Sequence, residues 1–177
     1  MGGGPSLHET YWRHRLTTMP SIAINHHAFD EEGISTDYFV QSDPPNPGAW
    51  TPIGVLEDQN CVKFFYEDHE DKVSQYPNVC LVKQYRDFDA YRKWMLSDAG
   101  HRAYTIDTLC TTNLCIRIAS NLGFTDLYLI GIDLRLEGHD LHREWFKAMV
   151  PELKRLRGMN FYSLARDNDV DQFQSAS

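Results

Sequence analysis

No apolar run in this chain approaches the ~20 residues that a membrane-spanning helix requires, which excludes one class of protein at the outset. The opening MGGGPSLHE has neither the basic start nor the apolar stretch of a secretory signal, so cytoplasmic residence is expected. Cysteine is scarce. The four present, Cys61, Cys80, Cys110 and Cys115, form no C-x-x-C pair and fit no zinc-ribbon spacing. They read as buried or half-buried free thiols in a reducing compartment. Basic residues are outnumbered, with 17 Lys and Arg against 25 Asp and Glu for a net charge of −8. Without a basic face the chain is not built to grip a phosphate backbone, so nucleic acid is not an expected partner. The richest basic run, Arg143, Lys147, Lys154, Arg155 and Arg157, reads as cations near a helix C-terminus. Internal repeats and low-complexity segments are also missing.

What remains is the material of one globular domain: 177 residues, 42% hydrophobic and 24% charged. Short β-branched or aromatic runs alternate with helical stretches. Strands are expected at Ser21–Asn25, Asp37–Ser42, Cys61–Tyr66, Asn78–Val82, Leu127–Asp133 and Asn160–Leu164. The Leu127–Asp133 run is almost wholly apolar, as a strand covered on both faces would be. Pro44 to Pro52 is a proline-rich loop, and the acidic stretch Glu67 to Asp71 reads as a solvated turn. Helices are expected over Asp87–Leu96, from Thr111 or Thr112 to Leu122 with Gly123 as its stop, and over His139–Arg157. The apolar side of the last is Leu141, Trp145, Met149, Leu153 and Leu156, and Pro151 should kink it or start a new segment. The fold class is therefore α/β and Rossmann-like: a mainly parallel sheet with helices on both faces, spanning 1–168, with 169–177 as a flexible tail.

Candidate chemistry gathers where strands end. Gly2-Gly-Gly-Pro-Ser-Leu7 runs into an expected helix; glycines there let backbone N–H groups reach a phosphate, and Ser6 adds a hydroxyl. The segment is neither a G-x-x-x-x-G-K nor a G-x-G-x-x-G motif. Such a turn needs an apolar strand before it, so the first strand of the sheet is expected to be missing or truncated. Asn25 ends its strand and either contacts ligand or closes a turn. Asp43 follows the next strand and suits either Mg²⁺ held with a nucleotide's phosphates or an Asx-turn. Asp133 closes the Leu-Ile-Gly-Ile-Asp strand as a ligand contact or a cap. His139 and His142 would share a face if helical, and histidine is the usual general base; surface histidines near a helix start are the alternative.

The Gly-x-Gly-Pro-Ser-Leu opening, the Asn-ended strand, Thr-Thr at a helix start and Leu-Gly-Phe-Thr-Asp-Leu-Tyr-Leu-Ile-Gly-Ile-Asp together resemble one superfamily. It comprises bacterial lipo-oligosaccharide sialyltransferases, archaeal 6-hydroxymethylpterin diphosphokinases, motility accessory factors and phage-type members. The likeness spans 1–43 and 108–168. It implies that Gly3, Gly4, Ser6, Asn25, Thr111 and Thr112 surround a CMP-linked donor, with His139 near the position of the base. Gly3 stands where the sialyltransferases have an Asn, and Asp43 matches the diphosphokinase branch, which uses ATP and Mg²⁺. The expected function is a transferase with a nucleotide-activated donor, sialyltransferase-like, a CMP-sugar or ATP being its partner. The alternatives are a Mg²⁺-dependent diphosphokinase and a nucleotide-binding module without turnover. No tightly bound cofactor is expected, and self-association into a homo-oligomer is left open.

Overall fold

The computed structural model of the chain describes residues 18–25, 36–49, 51–85, 105–107, 111–132, 140–163 and 174–175. Five strands form one parallel sheet in the order β1 (Ile22–Ile24), β2 (Tyr38–Val40), β3 (Val62–Tyr66), β4 (Val79–Tyr85) and β5 (Thr105–Asp107). Side chains alternate across a strand, and here both sides are apolar. Ile24, Val40 and Phe64 are register partners that face one core, whereas Ala23, Phe39 and Phe65 face the other. Burying an aromatic such as Phe39 or Phe65 contributes about 1.5–3 kcal/mol.

Between β2 and β3 the chain forms helix α1 (Ile53–Glu57), and between β3 and β4 a 3₁₀ turn (Glu67–His69) followed by α2 (Glu70–Val73). Val55, Leu56 and Val73 of these short helices bury themselves against Ala23, Phe39 and Phe65. Right-handed crossovers that step in one direction lay their connections on one face, as seen here. The opposite face is covered by α3 (Thr111–Asn121), which contacts β1, β2 and β5, and by α4 (Asp140–Arg157). Helices thus lie on both faces of a parallel sheet, the expected Rossmann-like arrangement.

Helix α3 is buried almost all round through Leu114, Cys115, Ile116 and Ile118. Its end is set by Gly123 at φ +89°, with Gly123 N–H donating to Ser120 O (3.1 Å) and Phe124 N–H to Ala119 O (3.0 Å). That paired geometry satisfies the last carbonyls and needs a left-handed residue at Gly123. Phe124 then turns its ring edge-on to Tyr38 at 6.3 Å.

A second parallel sheet holds β6 (Asp126–Leu129), β7 (Asn160–Ser163) and β8 (Gln174–Ser175). Leu129 and Phe161 join the core under α3 and α4, while Ile130 joins the core under α1 and α2, so both cores are shared. Strand β6 is shorter than the apolar run suggested. Gly131 takes φ +66° and turns the chain out of extended geometry, and Tyr128 is 37% exposed where cover on both faces was expected. Tyr128 stacks on Tyr162 (4.7 Å), and Asp126 accepts from Asn160 Nδ2 (3.0 Å) beside them. Strand β8 draws two residues of the expected tail into the sheet. Among the described residues β1 pairs with β2 alone and β6 with β7 alone.

Helix α4 runs through Pro151 as one helix. Proline cannot donate to the carbonyl four residues earlier; that residue is Lys147, which is exposed. The inward side of α4 carries Phe146, Val150 and Leu153. The side chains of Leu141, Trp145 and Met149 lie outside the described residues. Lys154, Arg155 and Arg157 occupy its last turn, as the basic run predicted. The expected helix over 87–96 also lies outside the described residues.

At the N-terminal side of β3, Lys63 is fully buried. Its ammonium donates to Asp58 O, to Cys61 O (2.9 Å) and to Pro77 O (3.0 Å), which ties together the chain entering β3 and β4. Burial pushes this amine below its ordinary range and pushes the neighbouring Cys61 thiol up to about 11.

Candidate functional site

Parallel strands send all their C-terminal ends to one edge of the sheet, and there the polar residues meet. The chain leaves β1 at Asn25, which adopts φ +56°. Asparagine is one of the few residues with a side chain that tolerates this left-handed geometry. It leaves β2 through Gln41, Ser42 and Asp43. Gln41 is buried; its N–H donates to Phe64 O (3.1 Å) and its Nε2 to Thr51 Oγ1 (3.1 Å) and Asp43 O (3.2 Å). These bonds pin the proline-rich loop to the strand end. Among the described residues Gln41 Oε1 meets no hydrogen-bond donor.

Thr111, the first residue of α3, lies between the two strand ends. Its Oγ1 donates to Asn25 Oδ1 at 3.3 Å and contacts Ser42 Oγ at 2.5 Å. A threonine hydroxyl has one hydrogen. Because it goes to Asn25, Ser42 must be the donor to Thr111, and the relay runs Ser42 to Thr111 to Asn25. Asn25 Oδ1 is thereby occupied as an acceptor. The first N–H groups of α3 have no intrahelical partner and carry the positive end of the helix dipole. The start of the helix supplies donors that suit an anion such as phosphate, whereas Ser42 Oγ, its hydrogen given to Thr111, offers lone pairs.

After β3, the 3₁₀ turn places His69 against the same corner. Its Nε2 lies 3.2 Å from Ser42 O, and its ring lies 6.2 Å from that of Tyr66. A carbonyl oxygen can only accept, so Nε2 carries the hydrogen.

Of the expected site residues, the structure brings Asn25 and Thr111 together, with Thr112 half-buried beside them. Asp43 is exposed one residue beyond Ser42. Gly3, Gly4, Ser6, Asp133 and His139 lie outside the described residues. Among the described residues no group of three or more His, Cys, Asp or Glu is placed to hold a metal ion. The single carboxylate of Asp43 would leave most Mg²⁺ ligands to phosphate and water. Sequence reasoning missed Ser42, Gln41 and His69. Position alone could have flagged Ser42, since it ends a strand; His69 was hidden in an acidic stretch read as a turn.

The fold and this corner define an α/β protein of Rossmann-like type with a polar cluster at the C-terminal edge of its sheet. No family model matches the chain, and no curated protein or solved structure shows significant similarity to it. No helix among the described residues is long and apolar enough to cross a membrane.

Proposed function

We propose that the chain is a transferase that takes a nucleotide-activated donor, as the sialyltransferase-like resemblance implies, and that the donor's phosphate sits at the Asn25–Thr111 corner. The relay from Ser42 through Thr111 to Asn25, beside the N-terminus of α3, supports this reading. The first N–H groups of α3 are donors, and donors aimed at a leaving phosphate stabilise charge that develops as the bond breaks. Gly3, Gly4 and Ser6 would add contacts to the same phosphate, and Asp133 would hold the nucleotide. By resemblance, His139 would take the acceptor's proton, and His139→Ala would then slow turnover about 10²–10⁴-fold. The proposal includes cytoplasmic residence, which the free thiols of Cys61, Cys80 and Cys115 support.

A second reading, Mg²⁺-dependent diphosphoryl transfer from ATP to a pterin, is favoured by Asp43 lying exposed next to Ser42. A thermal-shift panel of CMP, UDP, GDP, ATP and pterins, with and without Mg²⁺, tests both. Stabilisation by CMP without Mg²⁺ supports the first; stabilisation by ATP only with Mg²⁺ supports the second. No shift with any of them would refute the proposal. Binding without product from a CMP-sugar or from ATP would leave a nucleotide-binding module.

A further inference from the structure

Parallel sheets are ordinarily covered on both faces, yet one face of β6 and β7 meets solvent. Leu127, Leu129 and Phe161 turn to the core under α3 and α4. The alternate positions Asp126 and Tyr128, with their register partners Asn160 and Tyr162, share the other side. There Asp126 and Tyr128 are exposed, and Asn160 and Tyr162 are half-buried. The two tyrosine rings stack at 4.7 Å with 15° between their planes, so each fixes the other. Beside them Asp126 gathers three donors. Its Oδ1 accepts from Asn160 Nδ2 (3.0 Å) and Tyr162 OH (3.3 Å), and its Oδ2 from Thr125 Oγ1 (3.0 Å). These bonds, that of Asn160 foremost, hold the Asp126 carboxyl below its ordinary range. The face is therefore ordered before anything binds to it.

The hydrogen bonds still open on this face define what it fits. A carboxylate has about four lone-pair sites; Asp126 uses three, which leaves one acceptor on Oδ2. Asn160 spends one amide hydrogen on Asp126 and keeps the other, together with its Oδ1. A cation would call for acceptors alone and an anion for donors alone, whereas this rim offers both beside an aromatic ring. A sugar ring has the matching chemistry. Its C–H groups suit the negative face of an aromatic, and its hydroxyls both donate and accept. We infer that this face binds a neutral saccharide, with a sugar ring on the side of Tyr128 turned away from Tyr162 and hydroxyls bonded to Asp126 and Asn160. Asp126 and Tyr128 lie two residues apart along β6, about 6–7 Å, a span within reach of a disaccharide. The inference does not rest on the transferase reading, since none of these residues belongs to the Asn25–Thr111 corner.

The full-length chain carrying ring-¹³C tyrosine is titrated with maltohexaose and with lacto-N-neotetraose at millimolar concentration, and the ring signals are followed by NMR. Tyr128→Phe, which keeps the ring, and Tyr128→Leu, which removes it, are titrated alongside, with Tyr162 reporting in both. The wild-type signals test the inference even if a variant fails to fold. The expected result is a saturable shift of the Tyr128 and Tyr162 signals with at least one sugar. Affinity should be kept in Tyr128→Phe and fall about tenfold in Tyr128→Leu, as loss of an aromatic contact predicts. No saturable shift with either sugar, or equal affinity in Tyr128→Leu, would overturn the inference. Ring signals that move with protein concentration alone would give the face to a second copy of the chain and overturn it likewise. Sugar binding without any nucleotide-induced stabilisation would leave this inference standing while the transferase reading fails.

Discussion

Replacing Lys63 with Met tests whether a buried ammonium holds the N-terminal edge of the sheet. Each of its three N–H donors meets a backbone carbonyl, of Asp58, Cys61 and Pro77. Hydrogen bonds from a charged donor contribute about 1.5–3 kcal/mol each, against an effective desolvation penalty of several kcal/mol for the ion. Methionine fills similar volume but leaves three acceptors bare. Asp58 and Pro77 are half-buried and water can reach them, whereas Cys61 is buried and its carbonyl stays unsatisfied. A net loss of about 2–4 kcal/mol follows, or roughly 5–15 °C in melting temperature for a chain of this size. The assay is thermal and urea denaturation of both proteins over a pH series. Because burial sets the folded value of Lys63 below its unfolded value, the unfolded chain binds that proton more tightly. Wild-type stability from this group therefore rises as pH climbs from the folded value toward the ordinary 10.5. Lys63→Met lacks that gain, so the gap between the proteins should widen at alkaline pH. Cys61 does not reverse this, because losing the nearby cation raises its thiol further. Equal or higher stability of Lys63→Met at pH 7 would refute the reasoning and show that desolvation outweighs the three bonds.

Burial raises the Cys61 thiol to about 11, so its folded value exceeds the ordinary 9.0 and its contribution to stability should be lost as pH rises through that window; Cys61→Ala should flatten the alkaline decline. At pH 8, exposed Cys80 should react with Ellman's reagent much faster than buried Cys61, checked by mass mapping of labelled peptides. Gly123→Ala meets no neighbouring atom but must hold φ +89°, so it should cost about 1–2 kcal/mol by urea denaturation. Asn25→Gly should keep the melting temperature yet abolish nucleotide-induced stabilisation, whereas Asn25→Ala should also lose about 1–2 kcal/mol from its φ of +56°.

The sheet was legible because parallel strands buried on both faces leave contiguous apolar runs, and Ile22–Ile24, Tyr38–Val40, Val62–Tyr66 and Asn160–Ser163 all fall inside the expected strands. Helix α3 was legible from both ends, since Thr111 opens it and Gly123 closes it with a conformation that favours glycine. Short helices carry too little periodicity to be seen. Five-residue α1 follows a proline loop, and four-residue α2 begins in an acidic run that reads as solvent-exposed. Their buried faces amount to Val55, Leu56 and Val73, fewer positions than a period needs to emerge. The exposed start of β6 was hidden for the opposite reason. Tyr128 is apolar enough to pass for core, and only its stacking on Tyr162 across the strand pair shows how it is accommodated.

The site was legible in proportion to how far each residue's role depends on its own strand. Asn25 could be singled out because it ends a strand, and strand ends in a parallel sheet share one edge. Thr111 could be singled out as a helix start. Ser42 and His69 matter through contacts that join residues 69 and 27 positions apart, from Ser42 to Thr111 and from His69 to Ser42. Such contacts leave no local pattern. His69 also faces away from the acidic neighbours that disguised it, because the 3₁₀ turn buries it while Glu67 and Asp68 stay exposed. A histidine that reverses the polarity of its own segment in this way must be held by something outside that segment, and here the holder is the carbonyl of Ser42. That link connects the end of β3 to the relay, and through it the three strand ends act as one polar unit.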